Sequence, residues 1–463
     1  MQRRWLRLGA SVTAVLGMVV SGCALPHLAA VALQLRQSLP TTNVVLYVHK
    51  QQVWLQPLEG GPAREVPLPW KLRYTGDEAS WATWSPDGQR IAVDDISSRI
   101  AILDLRSGRS TIVQATPGVN YRWSPNSRYL AFLRHPSHGS DVTRDLWVWD
   151  RVTGRVKRLV RDAEGLPDWS HDSTRIAIPT GPLDTNSLSN LRTRLASVTI
   201  DGHVTRYGWG YEAAWSPDDR FLGYIDLRNC GAAHCEVDEG VVPAAGGKAI
   251  TLAHSILEDY VHLQWAASPW GYGFDRWSLD RSGRLLRRLA ELPLREGAWS
   301  ADGSYTLAIS SYIFEDRGPH RFDADLISRQ TGRRINLAST RSQANQGPGK
   351  AFMPCTGAHT LALQINDHRM RSTGLLLVTW PGGRLHVTRT SVPPGDPVGL
   401  ARNDSEWVSW TGAGLTVTDL KTHRTRLAVP GRVVDRLEYT HVKVGSAPVM
   451  ERCAVEESGP WSS

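Results

Sequence analysis

The chain has 463 residues, with 53 Lys and Arg against 45 Asp and Glu, and a formal net charge of +8 at pH 7. This length exceeds what one hydrophobic core usually organises, which argues against a single undivided globular core. Three arginines belong to the N-terminal segment 1–22, and the others are scattered along the chain. The basic balance therefore does not predict a nucleic-acid groove, and we expect no nucleic-acid partner.

An apolar segment near the N-terminus predicts export. Arginines precede the apolar stretch 8–20, which is shorter than a helix needs to cross a bilayer. The tetrapeptide Val-Ser-Gly-Cys that ends at Cys23 resembles a bacterial lipobox. We therefore expect residues 1–22 to be a lipoprotein signal peptide and the thiol of Cys23 to carry diacylglycerol. The alternative is an ordinary signal peptide or an uncleaved anchor, with Cys23 incidental.

Such an anchor would place the mature protein in the bacterial cell envelope. Buried acyl chains contribute about 0.8 kcal/mol per CH₂, so two or three chains hold a protein at a membrane. Residues 23–42 then form a lipidated tether ahead of the first predicted strand. We expect an extracytoplasmic, membrane-attached monomer.

Degenerate copies of one phrase, Trp-Ser-Pro-Asp-Gly followed by Ile-Ala, recur along the chain. Copies begin at Trp84, Trp123, Trp169 and Trp215, separated by 39, 46 and 46 residues, and again at Trp299. Repeats of roughly 40 to 50 residues are typical of propeller blades. Pro presets φ, Asp bonds its own backbone and Gly accepts a positive φ, so the phrase predicts a tight turn between two strands. The Trp is expected to pack between blades rather than to form a ligand platform.

A second polar phrase follows within most repeats. It ends at Gly108, Gly154, Gly283 and Gly332, and a variant without the glycine spans 417–422. Each copy stands between two apolar runs, as a hairpin turn does. Two turn signals per repeat predict three or four antiparallel strands.

The Trp-Ser-Pro-Asp-Gly phrase resembles the repeat of TolB-like β-propellers, and the resemblance covers residues 43–445. It implies an all-β fold, a ring of four-stranded antiparallel blades. Spacing adds blades that begin at Trp265, Met353 and Leu400. We predict eight blades, with seven or nine as the alternatives, and a C-terminal tail over residues 446–463.

Two strands at the ends of the chain predict how the ring closes. The apolar segment 44–48 lacks a Trp phrase, and the segment 437–444 is left over after the last repeat. We expect the two to share a blade, since closure removes exposed sheet edges.

Four cysteines follow Cys23, and an even number in an exported protein predicts disulfides. They are Cys230, Cys235, Cys355 and Cys453. Three connectivities are open; Cys230 and Cys235 are close enough to close their own loop, which leaves Cys355 to pair with Cys453. A metal site at Cys230, His234 and Cys235 is the alternative, although the spacing is not a familiar zinc pattern.

Two acidic segments are candidate calcium ligands, because carboxylate oxygens suit that ion. One is Asp94 with Asp95, and the other spans 236–239. Neither has further ligands in view, so we expect solvated acidic loops, no metal site and no cofactor.

The sequence has no Gly-x-Ser-x-Gly elbow, no His-Glu-x-x-His and no phosphate-binding glycine loop. We therefore predict a non-enzymatic, lipid-anchored propeller that binds a protein, peptide or glycan. Its longer connections are the expected recognition loops, at 179–191, 227–240, 312–322 and 339–350. The alternative is a propeller enzyme, a lyase, hydrolase or quinone-dependent dehydrogenase. Converging His, Asp or Glu side chains in the central channel would favour it.

Overall fold

The structure is a computed structural model. It describes residues 44–50, 52–58, 60–70, 74–75, 78–79, 82–95, 99–115, 121–135, 144–181, 193–228, 235–257, 265–268, 271–274, 276–289, 298–300, 302–309, 321–341, 350–356, 360–367, 372–381, 384–393, 395–401, 404–431 and 441–443.

The described residues form nine four-stranded antiparallel sheets, which are the blades of a β-propeller. Blade 1 takes three strands from the start of this region, and a short hairpin follows it. In chain order these strands are β1 (Val44–His49), β2 (Gln52–Pro57), β3 (Arg64–Val66), and the hairpin strands β4 (Tyr74–Thr75) and β5 (Glu78–Ala79).

Blades 2 to 5 each use four consecutive strands. They are β6 (Ala82–Trp84), β7 (Arg90–Asp95), β8 (Arg99–Asp104) and β9 (Ser110–Gln114); β10 (Tyr121–Trp123), β11 (Tyr129–Arg134), β12 (Asp145–Asp150) and β13 (Val156–Val160); β14 (Asp168–Trp169), β15 (Arg175–Thr180), β16 (Arg194–Thr199) and β17 (Val204–Trp209); β18 (Glu212–Trp215), β19 (Phe221–Arg228), β20 (Cys235–Pro243) and β21 (Ile250–Leu257).

Blades 6 to 9 repeat the pattern, and one last strand follows them. They are β22 (Trp265–Ser268), β23 (Gly271–Phe274), β24 (Trp277–Leu279) and β25 (Leu285–Arg288); β26 (Ala298–Trp299), β27 (Tyr305–Ile309), β28 (Arg321–Ser328) and β29 (Arg334–Arg341); β30 (Lys350–Thr356), β31 (Leu361–Asp367), β32 (Ser372–Thr379) and β33 (His386–Thr390); β34 (Asp396–Ala401), β35 (Glu406–Thr411), β36 (Gly414–Asp419) and β37 (Thr425–Pro430); and then β38 (His441–Lys443).

The ring closes where the two ends of the described chain meet. Strand β38 pairs antiparallel with β1, with Val44 opposite Lys443 and Val45 opposite Val442. The prediction that the terminal segments share a blade is therefore confirmed. Closure in this way leaves no open edge between the first and last blades.

The predicted count of eight blades is wrong, and nine is correct for the described residues. Blade 1 is a complete blade built without any Trp phrase. The short segment that begins at Trp265, which spacing had already added to the count, forms four strands of its own. The blade missing from the predicted eight is therefore blade 1.

The four strands of a blade are called a to d from the centre of the ring outwards. The first strands of blades 2 to 9 are the a strands, and a strands of neighbouring blades lie against one another, for example β10 with β14 and β30 with β34. In blade 1, β38 is the a strand and β1, β2 and β3 are b, c and d.

Antiparallel strand order gives the ring two different ends. The a–b and c–d turns, such as 124–128 and 151–155 in blade 3, lie at one end, which we call the turn face. The b–c and d–a connections lie at the other, the connector face. Strand β1 is a b strand and Val44 is paired with Pro57 beside the c–d turn, so the chain enters the propeller from the turn face.

Apolar clusters lie between neighbouring blades. Ala92 of blade 2 packs with Trp123 and Phe132 of blade 3. At the closure, Tyr47 of blade 1 packs with Val408 of blade 9. Burial of this apolar surface, about 25 cal/mol per Å², holds the blades side by side.

Small residues let some sheets approach closely. A Cβ atom on Gly223 in blade 5 would lie 2.2 Å from Cε2 of Phe274 in blade 6. Alanine occupies the matching position after other Trp phrases, as at Ala92 and Ala131, both fully buried. A small residue after the phrase therefore lets neighbouring sheets pack closely at these positions.

Candidate functional site

The Trp-Ser-Pro-Asp-Gly phrases form tight a–b turns whose polar groups bond one another. The hydroxyl of Ser85 is buried, donates to Oδ1 of Asp87 at 2.6 Å and accepts from the backbone N–H of Arg90 at 2.9 Å. The same Asp87 oxygen accepts from the N–H of Gln89 at 3.0 Å. Equivalent hydroxyl-to-carboxylate or amide bonds recur at Ser124–Asn126, Ser170–Asp172, Ser216–Asp218 and Ser300–Asp302.

The left-handed position of these turns also joins one blade to the next. It is Gly88 in blade 2 and Gly303 in blade 7, with φ of 66° and 65°. Blades 3 and 4 have Ser127 and Ser173 there, at 59° and 62°. The Ser127 hydroxyl accepts from the N–H of Asp87 at 2.8 Å, so the turns of blades 2 and 3 are hydrogen-bonded.

Hydrogen bonds of the same kind join the a–b turns of the next blades in the ring. Oγ of Ser173 accepts from the N–H of Asn126 at 3.0 Å. In blade 5 the position is Asp219, φ 58°, whose carboxylate accepts from the N–H groups of His171 at 2.7 Å and Asp172 at 2.9 Å. These inter-blade hydrogen bonds connect blades 2, 3, 4 and 5 at the turn face.

Asp219 also pairs with the imidazole of His171, Nδ1 to Oδ1 at 2.9 Å. That hydrogen bond raises the pKa of His171, against the effect of partial burial. The pair bridges blades 4 and 5, and the same carboxylate holds the backbone of the preceding turn. The Asp219 carboxylate therefore has a structural role, because it holds the turn of blade 4 against the turn of blade 5.

The repeated tryptophans pack between blades. Trp169 and Trp215 are 4% and 2% exposed. The Trp169 indole N–H donates to the carbonyl of Arg122 at 3.0 Å, and that of Trp215 to the carbonyl of Asp168 at 3.1 Å. In both cases the acceptor is the residue just before the Trp of the preceding blade. Core packing is therefore confirmed for these side chains, which leaves their rings covered.

One ion pair occupies the innermost strands of blades 3 and 4. Arg122 Nη1 lies 2.6 Å from Oδ1 of Asp168, and the other carboxylate oxygen accepts from the N–H of Trp215 at 2.8 Å. Burial raises the pKa of Asp168, although Arg122 beside it acts in the opposite direction. Both polar groups are thus held by blade-to-blade contacts.

Within the described ranges, no three His, Cys, Asp or Glu side chains are placed to hold a metal ion together. In the same ranges, no helix has the length and apolarity to cross a membrane.

Comparison with known proteins identifies the fold and no more. No family model matches the chain, and no curated protein matches it. Among solved structures, a eukaryotic initiation factor aligns with a TM-score of 0.52 and 13% identity, over 84% of this chain and 96% of that one. Identity at this level shows a shared fold alone.

Two other solved structures have lower scores. TolB from Acinetobacter baumannii aligns with a TM-score of 0.32 and 13% identity, over 65% of this chain and 64% of that one. An oligogalacturonate lyase in complex with manganese aligns with 0.40 and 12%, over 82% and 96%. The propeller neighbours thus include both enzymes and non-enzymes, and they assign no activity to this chain.

The predicted lipidation and disulfide sites fall largely outside the described residues. Cys23, Cys230 and Cys453 lie in segments the structure does not describe. Cys235 begins β20 and Cys355 lies in β30, with only their backbones described. The anchor and the cysteine pairing stay predictions.

The acidic segments considered as calcium loops are strands. Asp94 lies in β7 and is 2% exposed, and residues 236–239 lie in β20. Glu239 is buried, with Oε1 2.9 Å from Nη2 of Arg276 and Oε2 2.9 Å from the indole nitrogen of Trp277 in blade 6. The expectation of solvated acidic loops is wrong for Asp94 and Glu239, which are buried in strands, whereas Glu236 is exposed.

The four long connections singled out from the sequence all belong to the connector face. Three are b–c connections, between β15 and β16, β19 and β20, and β27 and β28; the fourth is the d–a connection between β29 and β30. The second is shorter than predicted, since β19 extends to Arg228 and β20 begins at Cys235. Strand order brings these connections to one end of the ring, which spacing along the sequence does not reveal.

Proposed function

We propose that the protein is a non-enzymatic β-propeller scaffold that binds a protein, peptide or glycan through its connector face. One observation carries the proposal: the four long connections all lie at the connector face. Loops carried by a rigid ring commonly supply recognition. The a–b turns at the other end, by contrast, use their serines and carboxylates to bond one another.

A site-specific photo-crosslinking experiment tests this proposal in cells that make the full chain. A photoreactive residue is placed in the connection 182–192 or 342–349, and the matched control places it at Val152, an exposed turn-face residue. We expect a discrete adduct from the connector face alone, weakened when 182–192 is replaced by a Gly-Ser segment of equal length. Equal adducts from both ends, or none from the connections, would contradict the proposal.

We further propose that Cys23 carries the lipid anchor. The lipobox-like tetrapeptide supports it, and residues 23–42 are long enough to tether the ring. Mass spectrometry of the mature N-terminus tests it, with Cys23→Ala as the control. An acylated Cys23 at the N-terminus is the expected result. An uncleaved or unmodified residue 23 would contradict the lipid anchor.

The alternative of a propeller enzyme gains no specific observation. The pair Arg122–Asp168 in the innermost strands is held by backbone and side-chain contacts between blades. A single Arg–Asp pair supports no particular reaction.

A further inference from the structure

The c–d turns end in a repeated arrangement of charge. In each of blades 2 to 9, a basic and exposed residue follows the turn, one or two positions before the outermost strand. These residues are Arg109, Arg155, His203, Lys248, Arg284, Arg333, Arg384 and Arg424. We call them the basic rim. Since c–d turns lie at the periphery of the turn face, the basic rim follows that end of the ring from blade 2 to blade 9.

Turn chemistry explains why the position recurs. The residue before it has a positive φ, as at Gly154 (67°), Gly332 (70°) and His423 (56°). This left-handed residue ends the hairpin turn, and the chain then enters the edge strand of the blade. A long cationic side chain at an edge strand also protects that edge from pairing with other chains. Edge protection alone does not require the rim to lie at the turn face.

Carboxylates at these turns bind partners within their own blade. Asp104 pairs with Arg90 at 2.5 Å, and Asp150 pairs with Arg128 at 3.0 Å. The Asp419 carboxylate accepts from the N–H of Thr422 at 2.6 Å. The cations in these ion pairs come from the a–b side of the blade, so the pairs leave the basic rim outside them.

Charge therefore differs between the two parts of the turn face. Between the c and d strands of the nine blades the sequence has twelve Lys or Arg, against six Asp or Glu even when carboxylates that end c strands are included. The a–b turns nearer the centre are richer in aspartate. Two of the twelve cations pair with a–b aspartates of the preceding blade, Arg151 with Asp87 at 3.4 Å and Arg281 with Asp218 at 3.9 Å. Neither of them belongs to the basic rim, which lies further along each turn.

The path of the chain points to what the rim faces. Val44 begins β1 at the turn face, so everything that precedes it joins the propeller at that end. A tether of about 20 residues from Cys23 spans at most roughly 70 Å. An acylated N-terminus would thus hold a bilayer on the side of the basic rim and leave the connector face free.

We propose that the turn face docks on an anionic lipid surface through the basic rim. Exposed cations placed around one end of the ring are attracted to acidic headgroups near the membrane. This docking is independent of the ligand proposed for the connector face. It also does not require the acyl chain, which would only add to it.

Vesicle binding of the full mature chain with Cys23→Ser, which carries no lipid, tests the proposal. The probes are vesicles of phosphatidylcholine alone and of phosphatidylcholine mixed with phosphatidylglycerol. The rim variant combines Arg109→Gln, Arg155→Gln and Arg424→Gln. The control variant removes the same charge from the rest of the molecule, with Lys50→Gln, Arg161→Gln and Arg389→Gln. Thermal unfolding of both variants checks that they fold.

We expect salt-sensitive binding to phosphatidylglycerol vesicles only. The rim variant should lose about tenfold or more in affinity and the control variant less than about threefold, since cations close to the bilayer are attracted to it and distant ones are screened by salt. Equal losses in both variants, or no binding to acidic vesicles, would overturn the proposal. So would rim-dependent binding to soluble polyglutamate without binding to vesicles, which would indicate a polyanionic polymer. Unchanged connector-face crosslinking in the rim variant separates this result from the proposed function.

Discussion

Ser127 adopts a φ of 59°, a conformation that costs an L-residue roughly 1–2 kcal/mol and a glycine almost nothing. Its hydroxyl accepts from the N–H of Asp87 in the neighbouring blade, and the side chain is 1% exposed. The backbone strain at Ser127 is therefore offset by a hydrogen bond between blades 2 and 3. Glycine at the same position, as at Gly88, makes a better isolated turn and no such link.

Replacement of Ser127 separates these two contributions. Ser127→Ala should lower the free energy of unfolding by about 1–2 kcal/mol, because it keeps the strained φ and leaves the Asp87 N–H unbonded. Ser127→Gly should cost less, because it loses the bond but relieves the strain. Chemical denaturation measures both. Thr153→Ala, an exposed turn hydroxyl, is the control and should change stability by under about 0.5 kcal/mol. An alanine variant as stable as wild type would refute the inter-blade bond.

His171 makes stability depend on pH in a defined direction. The hydrogen bond to Asp219 raises the pKa of His171 above the ordinary value of a histidine side chain. A raised folded-state pKa stabilises the fold fully below the unfolded value, and this stabilisation is lost as pH rises through the folded value. His171→Gln should therefore destabilise the protein more in mildly acidic than in alkaline buffer, by under about 1 kcal/mol because the imidazole is 43% exposed. Urea denaturation at several pH values measures the difference, and a larger loss at high pH would contradict it.

For individual residues, the sequence predicts the hydrogen bonds that form between near neighbours in the chain. Ser85, Asp87 and Gly88 act within five residues of one another, so their turn follows from composition alone. The bond from Asp87 to Ser127 joins residues 40 apart and depends on how two blades pack. A non-glycine residue at the left-handed position was the available signal, since it marks a position where a side chain is needed.

Between elements, a deeply buried ion pair joins blades 5 and 6. Glu239 and Arg276 have side chains 1% and 3% exposed, and Trp277 donates to the same carboxylate. Removal of one member of a buried pair leaves an uncompensated charge in the interior, which typically costs 3–5 kcal/mol. Exposed ion pairs are worth less than about 1 kcal/mol.

Two charge-removing variants test this contrast. Glu239→Gln should reduce the free energy of unfolding by about 3–5 kcal/mol, because Arg276 stays buried and charged. Arg151→Gln breaks the exposed inter-blade pair with Asp87 and should cost under about 1 kcal/mol. Calorimetry of the two variants beside wild type provides the measurement. Similar small losses in both would show that Arg276 reaches solvent or another partner.

Strand identity was predictable where a blade carries both turn phrases, as in blades 2 and 3. Blade 6 has an a–b connection of only two residues between Ser268 and Gly271, and blade 1 takes its innermost strand from the far end of the chain. Blade 6 was nevertheless counted from its spacing, whereas the pairing of β38 with β1 depends on ring closure rather than on local pattern, which is why blade 1 was not among the predicted eight. The Glu239–Arg276 pair was missed for a related reason, because its two members stand on different blades.

On the scale of the whole molecule, strand order determines which surfaces meet which partners. Four antiparallel strands per blade send the tight turns to one end and the long connections to the other. The chain also enters at the turn end, beside the basic rim. A membrane at that end and a ligand at the other are compatible, which is the basis of both proposals. Neither surface could be located from sequence spacing before the blades were assembled.

The central claim is a closed ring of nine blades in which β38 completes the blade begun by β1. Disulfide trapping of that pairing tests it most directly. Val44→Cys with Lys443→Cys, and Val45→Cys with Val442→Cys, are directly opposite, and opposite residues in antiparallel strands lie about 4.5–5.5 Å apart, within disulfide reach. Val44→Cys with His441→Cys is out of register and serves as the control. Non-reducing peptide mapping should recover an intrachain linked peptide from at least one opposite pair and none from the control. Links that form only between chains, or no link in either opposite pair, would contradict the closed nine-bladed ring.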